Sequence, residues 1–366
     1  MKKFFSFTFV VFVGMLSYGQ FHTLKIPKPS NLVSETQRLG VTDITINYSS
    51  PSVRERDIWA DVIPINGDPV PWRAGADLNT TIEFSTNVSI NGKELNAGKY
   101  GFHIIYRKDG SCTLLFAHAN NLWGSYYLNI NKDISLRVES QSKVEGYSEK
   151  LDYEFMNWEE DAVEIVLEWG NRQIPFTVSV DLNETVIDSF RSELRGENTN
   201  RWQAWNDAAS WCLSRNINLE EALQWADRSI KGGYGGFAAN KNLTNITTKF
   251  FLLLRLDKKK DAENMIADLE ELDYGDWNAY DFSRGLIELG SYKLAKDFLK
   301  RATKKHPERW FLVLGDALAS YHLGDRKEAI KLMEKNLELV PERHIERTKI
   351  VIAEMKAGTY SMPNQT

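Results

Sequence analysis

The feature that most constrains this chain is an internal repeat in its C-terminal half. A glycine, an alanine and a proline recur at an offset of 34 residues, with Gly290, Ala295 and Pro307 matched by Gly324, Ala329 and Pro341. Glycine suits a tight turn between two helices, alanine lets the helices approach closely, and proline ends the second helix. Apolar residues around them follow helical spacing. The sequence therefore predicts a solenoid of helical hairpins over residues 201–356.

The turn and second helix of the last full unit are the best defined part of the repeat. The string Leu323–Ile330 resembles the tetratricopeptide repeat, whose period is about 34 residues. Ala302 fits that family's small position in the second helix, whereas Asn336 departs from it. Glu220–Leu223 and Asp261–Glu263 indicate two more degenerate units. The resemblance implies a surface that binds a protein or peptide.

The region before the repeats, residues 43–181, has a different period. Its apolar residues alternate, as in Ile44, Ile46 and Tyr48, or form short runs between turn residues. Residues that tolerate a positive φ, and hence hairpin turns, occur at Asn91-Gly92, Ala97-Gly98, Asp109-Gly110 and Gly170-Asn171. We expect an antiparallel β-sandwich or barrel, which makes the chain an α+β multidomain protein with an all-β and an all-α part.

Several sequence blocks in this region occur in a characteristic order. They are Tyr48–Val53 with Arg56, Trp72–Ala76 leading into Thr80–Phe84, Gly92 with Ala97–Gly101, and Trp123-Gly124. Together they resemble a family of exported bacterial β-domains of unknown function, over roughly residues 26–181. The segment Pro64–Pro71 departs from that family's short tyrosine-glycine turn. The resemblance implies fold and export, and it carries over no chemistry.

The first residues have the pattern of a signal peptide. Lys2 and Lys3 precede an apolar run, Phe4–Leu16, that is too short to span a bilayer, and Ser17 and Gly19 suit cleavage after Gly19. No later segment is long and apolar enough for a membrane span. We therefore expect a periplasmic or secreted protein.

These patterns predict the domain boundaries. The expected parts are a leader at 1–19, a β-domain at 20–182, a connector at 183–200, helical repeats at 201–356 and a tail at 357–366. The connector is predicted to contain a short helix, Thr185–Leu194, and the alternative is that it caps the β-domain.

Composition excludes some partners and cofactors. The net charge is −5 over 366 residues and no basic stripe is interleaved with aromatic residues, so a nucleic-acid partner is not expected. Gly232–Gly236 lacks the following lysine and hydroxyl residue of a phosphate-binding loop, which favours a loop between repeats. Cys112 and Cys212 are isolated, and we expect two buried free thiols. No cofactor is predicted.

Histidines offer one weak metal hypothesis. His103 and His118 flank Asp109-Gly110 and could meet across a hairpin, where Asp77 or Glu83 would complete a site. The spacing matches no metal-binding motif, so ordinary partly buried histidines are the favoured interpretation and no metal is predicted.

The segment Trp72–Asp77 is the main candidate site. It combines an aromatic ring, a guanidinium group and a carboxylate immediately before a strand, which suits binding of sugars or acidic groups. The favoured interpretation is architectural, with Arg73 paired to Glu83 or Asp77 and Trp72 closing the end of the sandwich. The candidate binding residues are Arg56, Trp72, Arg73, Asp77, His103 and Trp123.

Two functional hypotheses follow. The first is a non-enzymatic extracytoplasmic binding or scaffold protein whose helical repeats bind a protein or peptide. The alternative is a carbohydrate-binding module or hydrolase with its site around Trp72 and Arg73. No catalytic residue is predicted.

Overall fold

The computed structural model describes residues 27–265, 269 and 272–361. The predicted leader, residues 1–19, lies outside this range, as do residues 362–366 of the predicted tail. The chain divides into two compact units between Val186 and Ile187.

The described part of the N-terminal unit contains ten strands in two sheets. The strands are β1 (Asn31–Leu39), β2 (Thr42–Ser50), β3 (Thr80–Phe84), β4 (Val88–Ile90), β5 (Lys93–Leu95), β6 (Gly98–Tyr106), β7 (Ser111–Ala117), β8 (Ile134–Gln141), β9 (Lys143–Met156) and β10 (Ala162–Ser179). One sheet has the order β1-β2-β3-β6-β7-β8 and the other β5-β4-β10-β9. All neighbouring strands are antiparallel.

The core lies between the two sheets, so the unit is a β-sandwich. Ring centres of Phe102 on β6 and Phe176 on β10 are 5.5 Å apart, and those of Tyr48 on β2 and Tyr153 on β9 are 4.8 Å apart. The alternation read from β2 is confirmed, because its apolar side chains are buried. Such a strand buries one face and leaves the other to water or neighbouring loops.

The turn predictions were partly right. Asn91-Gly92 joins β4 to β5 and Asp109-Gly110 joins β6 to β7 as hairpins. Ala97-Gly98 instead leads from β5 into β6, which belongs to the other sheet. Gly170-Asn171 is not a turn: Gly170, at φ +60°, lies inside β10, where the register with β9 shifts on both sides of it. The positive φ serves a β-bulge there.

The C-terminal unit consists of helical hairpins. The described helices are α1 (Leu182–Glu193), in which the boundary between the two units falls, α2 (Trp202–Arg215), α3 (Leu219–Lys231), α4 (Leu243–Arg255), α5 (Lys259–Asn264), α6 (Asp276–Glu288), α7 (Tyr292–Lys305), α8 (Trp310–His322), α9 (Arg326–Asn336) and α10 (Glu342–Ala357). Helices α2–α3, α4–α5, α6–α7 and α8–α9 pack as pairs. Gly290 and Gly324, at φ +69° and +88°, form the α6–α7 and α8–α9 turns. The helical-repeat fold is therefore confirmed.

Small residues lie where helices pack closely, as the repeat predicts. Ala295, Ala302 and Ala329 are fully buried. Asn336, which follows Ala302 by one repeat, is also buried, and its Nδ2 donates a hydrogen bond to the carbonyl oxygen of Trp310 at 3.0 Å. Asn336 thus replaces the small apolar residue of the repeat, and the hydrogen bond from its side-chain amide to the backbone at the start of α8 accommodates it.

The predicted connector, residues 183–200, is mostly helical. Helix α1 begins at Leu182, three residues earlier than expected, and Leu182 packs against the β core. Ile187, Phe190 and Leu194 pack with side chains of α2 and α3. The β-domain boundary at 182 therefore moves to 186, and the last turns of α1 belong to the helical unit.

Candidate functional site

A cleft of about 620 Å³ lies at one end of the β-sandwich. Its walls come from the residues before β1, from the long connection between β2 and β3, and from the loop after β7, with Trp169 of β10. Val62, Pro64, Pro69, Val70 and Pro71 supply an apolar wall. The segment Pro64–Pro71, which departs from the family's usual turn, therefore shapes the cleft.

Trp72 anchors the candidate segment to the sandwich. Its backbone N–H donates to the carbonyl of Ile104 on β6 and its carbonyl accepts from the Ile104 N–H, both at 2.8 Å. Its ring is 5 % exposed and stacks on Trp169, with ring centres 5.9 Å apart. Trp72 thus closes the end of the sandwich, and its faces are not free for a stacked sugar.

Arg73 follows this anchor and is half-buried in the cleft wall. Its Nη1 donates to the backbone carbonyl of Asp77, and its Cζ lies 5.3 Å from the ring centre of Tyr126. The guanidinium also packs against Gly124, where a Cβ would lie 2.6 Å from the Arg73 Cζ. Glu83 points to solvent on β3. The expected pairing of Arg73 with the carboxylate of Glu83 or Asp77 is therefore wrong, because a main-chain carbonyl takes that role.

Asp77 lies at the junction of the cleft with a neighbouring depression. Its backbone has a φ of +59°, and its Oδ2 is 3.8 Å from Nζ of Lys28. The carboxylate therefore has a cation of its own, and Arg73 remains without an acidic partner among the residues that the structure describes.

His103 lies behind Arg73 and is fully buried on β6. Its Nδ1 is 2.7 Å from Oγ of Ser125, a residue that lines the cleft. Burial, followed by the charge of Arg73, lowers the pKa of His103 to about 4, so its imidazole is neutral at physiological pH. The β6–β7 register places Leu115 opposite His103, and His118 is exposed after β7. The hypothesis that the two histidines meet across the hairpin is therefore wrong, and the favoured interpretation of two separate histidines holds.

Two further arginines line the same cleft. The exposed Arg56 donates from Nε to the carbonyl of Val53 at 2.9 Å and from Nη2 to that of Ser52 at 2.6 Å. Arg54, with a φ of +50°, also reaches the cleft. Sequence reasoning included Arg56 but missed Arg54.

Exposed aromatic side chains border the cleft on the side of the β7–β8 loop. Trp123, Tyr126 and Tyr127 are exposed, and they form with Arg73 and Asp77 a second depression of about 520 Å³. Trp123 was predicted as a site residue, and the structure places it here rather than against Trp72. Tyr126 and Tyr127 were missed, although they follow Trp123-Gly124 directly in the sequence.

The helical unit has an aromatic cluster of its own, formed by Trp277, Tyr280 and Phe311. Trp277 on α6 is 64 % exposed and stacks on Phe311 of α8, with ring centres 4.7 Å apart. Tyr280 contacts Phe311 edge to face at 5.4 Å. Helices α6 and α8 are the first helices of successive hairpins, and they contact each other.

Across the described ranges, no group of three or more His, Cys, Asp or Glu side chains is placed to hold a metal ion. Within those ranges, no helix combines the length and hydropathy needed to cross a bilayer. Cys112 and Cys212 are buried and free, and burial raises the pKa of Cys112 to about 12 and that of Cys212 to about 11.

The fold defines a protein of two parts, an antiparallel β-sandwich and a tetratricopeptide-like series of helical hairpins. Residues 29–178, which form most of the β-sandwich, match the family described as "Protein of unknown function (DUF2911)". The resemblance read from the sequence blocks is confirmed. No curated protein matches the chain significantly.

Solved tetratricopeptide proteins resemble part of the chain distantly. A tetratricopeptide repeat protein from Parabacteroides merdae is 17% identical over 47% of this chain and 66% of its own, with a TM-score of 0.33. MamA from Desulfovibrio magneticus is 18% identical over 45% and 94%, with a TM-score of 0.30. YrrB, described as having an unusual peptide-binding site, is 16% identical over 45% and 98%, with a TM-score of 0.25.

Proposed function

We propose that this protein is a non-enzymatic binding protein whose helical unit holds a peptide segment of a partner protein. The observation that carries the proposal is the exposed Trp277, stacked on Phe311 across two neighbouring hairpins. Large aromatic side chains that remain exposed but are held rigid are typical anchors of protein interfaces.

The support beneath Trp277 makes it suitable for binding. Phe311 is buried beneath it and joins the continuous core that runs through α4, α6, α7 and α8. A ring fixed in this way loses little conformational entropy when a partner covers it. The apolar cluster therefore offers a preformed surface to an apolar side chain of the partner.

Polar groups surround the aromatic cluster, as they do in many interfaces. Asn278 donates from Nδ2 to Oγ1 of Thr244 on α4 at 3.2 Å, and Arg309 pairs with Asp276 at 2.5 Å. These groups provide hydrogen-bonding partners for the backbone of a bound peptide at the edges of the apolar contact.

The test is selection of peptides from a random library on the full-length protein, followed by affinity measurement with a selected peptide. We expect Trp277→Ala to weaken binding roughly tenfold or more, since an interface anchor is removed. Tyr234→Ala is the matched control, because Tyr234 is an almost fully exposed aromatic residue of the same unit outside the cluster. Three outcomes would contradict the proposal. Trp277→Ala could bind the peptide as tightly as the wild type, Trp277→Ala and Tyr234→Ala could lose equal affinity, or no peptide could be selected.

The proposed site of action is outside the cytoplasm, in the periplasm or medium. The support is the sequence pattern of Lys2 and Lys3 followed by the apolar run Phe4–Leu16. This proposal is tested by determining the mature N-terminus of the protein produced in a bacterial host.

A further inference from the structure

We propose that the cleft of the β-sandwich binds a small organic anion, with the guanidinium of Arg73 holding its carboxylate or phosphate group. This site is separate from the peptide surface of the helical unit, and it gives the β-domain a ligand class.

The charge of the cleft favours an anion. Arg54, Arg56 and Arg73 line it together, and Asp77 is the acidic residue among its lining residues. Lys28 lies against that carboxylate and offsets its charge. Within the described part of the chain, no carboxylate lies within ion-pair distance of the three guanidinium groups. Glu149, which is not among the cleft lining, accepts from the backbone N–H of Arg54 at 3.1 Å, and this hydrogen bond together with the charges of Arg54 and Arg56 lowers its pKa. A concave site with unpaired guanidinium groups attracts and concentrates negative ions.

Arg73 is positioned for a forked contact. One N–H is fixed by the carbonyl of Asp77 and the plane is supported by Tyr126, while close packing against Gly124 restricts movement on that side. The remaining N–H donors have no acceptor among the described residues. A preorganised guanidinium binds a carboxylate or phosphate bidentately and loses little entropy in doing so.

An uncharged polar pair, His103 and Ser125, lies next to Arg73. His103 behind it is uncharged, because burial and the arginine itself disfavour the imidazolium form. The hydroxyl of Ser125, held by His103 at 2.7 Å, lines the cleft and adds a polar contact.

The apolar wall sets the other half of the ligand. Val62, Pro64 and Pro71 face the same space as the arginines, and a volume of about 620 Å³ suits a small molecule rather than a single ion. The ligand class is therefore an acid with an apolar body, such as an aromatic or branched carboxylate or a phosphate ester.

Isothermal titration calorimetry of the full-length protein tests this with matched probes. Benzoate represents the carboxylate source, phenyl phosphate the phosphate source, and benzyl alcohol the same ring without charge. We expect at least one anion to bind, to bind more weakly as sodium chloride is added, and to bind better than benzyl alcohol. The anion that binds more tightly shows whether the site prefers a carboxylate or a phosphate group.

Substitutions of three arginines test whether the anion binds in the cleft. Arg73→Gln should weaken the better anion roughly tenfold or more, as expected for loss of charge-assisted hydrogen bonds. Arg56→Gln, which changes an exposed side chain and should leave the fold intact, should weaken it severalfold. Arg137→Gln is the matched control, since Arg137 is also exposed and donates to a backbone carbonyl, but outside the cleft.

The proposal is overturned if neither anion binds at millimolar concentration, or if benzyl alcohol binds as well as both. Binding of cellobiose without binding of either anion would overturn it in favour of a neutral glycan. Equal losses in Arg56→Gln and Arg137→Gln would also overturn it, because they would show a general charge effect.

Discussion

Arg73 lies over the ring of Tyr126, with its Cζ 5.3 Å from the ring centre, and this contact joins two loops that are far apart in sequence. The connection between β2 and β3 contributes the guanidinium, and the loop after β7 contributes the ring. The absence of a side chain at Gly124 permits the close approach.

The first prediction concerns that glycine. Gly124 has a φ of +65°, and an added Cβ would lie 2.6 Å from the Arg73 Cζ. Gly124→Ala should therefore displace the guanidinium and weaken binding of the preferred anion. Gly92→Ala is the matched control, because Gly92 also has a positive φ but meets nothing within 4 Å.

The two alanine variants should also differ in stability. Gly92→Ala should cost about 1 kcal/mol from the backbone conformation alone. Gly124→Ala should cost at least about 1 kcal/mol more, because of overpacking against Arg73. Urea denaturation measures both free energies of unfolding, and equal costs would show that Arg73 moves aside freely.

The second prediction concerns pH. The folded pKa of His103 is about 4, below the ordinary 6.5, so the unfolded chain binds a proton that the folded chain does not. The stabilisation from neutral His103 is present above pH 6.5 and is lost as the pH falls towards 4, by about 3 kcal/mol in all.

His103→Gln removes this titration while retaining a polar partner for Ser125. The difference in free energy of unfolding between wild type and His103→Gln should therefore shift against the wild type between pH 6.5 and about pH 4. Other acidic groups cancel in that difference. A difference that stays constant with pH would show that the imidazole is not buried in neutral form.

The sequence predicts a strand well where one face of the strand is buried and the other is exposed. β2 alternates because one face is buried, whereas β1 was missed because Leu39 is its only buried side chain and Leu32 is exposed. At Gly170 the sequence correctly predicted a positive φ but wrongly predicted a turn. A β-bulge and a hairpin turn both use a residue with positive φ, so the sequence signal does not distinguish them.

The candidate site was predictable only as far as local sequence carries the information. Trp72, Arg73 and Asp77 lie in one short segment, so their composition indicates a site. Arg54 and Tyr126 reach the cleft through the strand order, which sequence patterns did not provide. The same limit explains why Arg73 was expected to bind a carboxylate: nearby acids are visible in a sequence, whereas an available backbone carbonyl is not.

The third prediction concerns export. Cleavage after Gly19 should leave Gln20 as the mature N-terminus, since Ser17 and Gly19 are small residues at the positions that a signal peptidase reads. Mass spectrometry of the protein produced in a bacterial host measures this. An intact Met1 on protein recovered from the cytoplasm alone would contradict export.

The fourth prediction tests the repeat register through Ala329. This residue is fully buried, with Ala317, Met333 and Met355 in the same cluster. A larger side chain has no space there without moving α8, α9 or α10. Ala329→Leu should therefore lower the free energy of unfolding by about 1–3 kcal/mol.

Ala353→Leu is the control for this substitution. Ala353 lies on the exposed face of α10, so the same change in side chain meets water rather than a neighbouring helix. It should alter stability by less than about 0.5 kcal/mol, as surface substitutions usually do. If chemical denaturation gave equal midpoints for Ala329→Leu and Ala353→Leu, the close crossing of α8 and α9 at Ala329 would be wrong. The 34-residue offset would then not mark a position of tight helix packing.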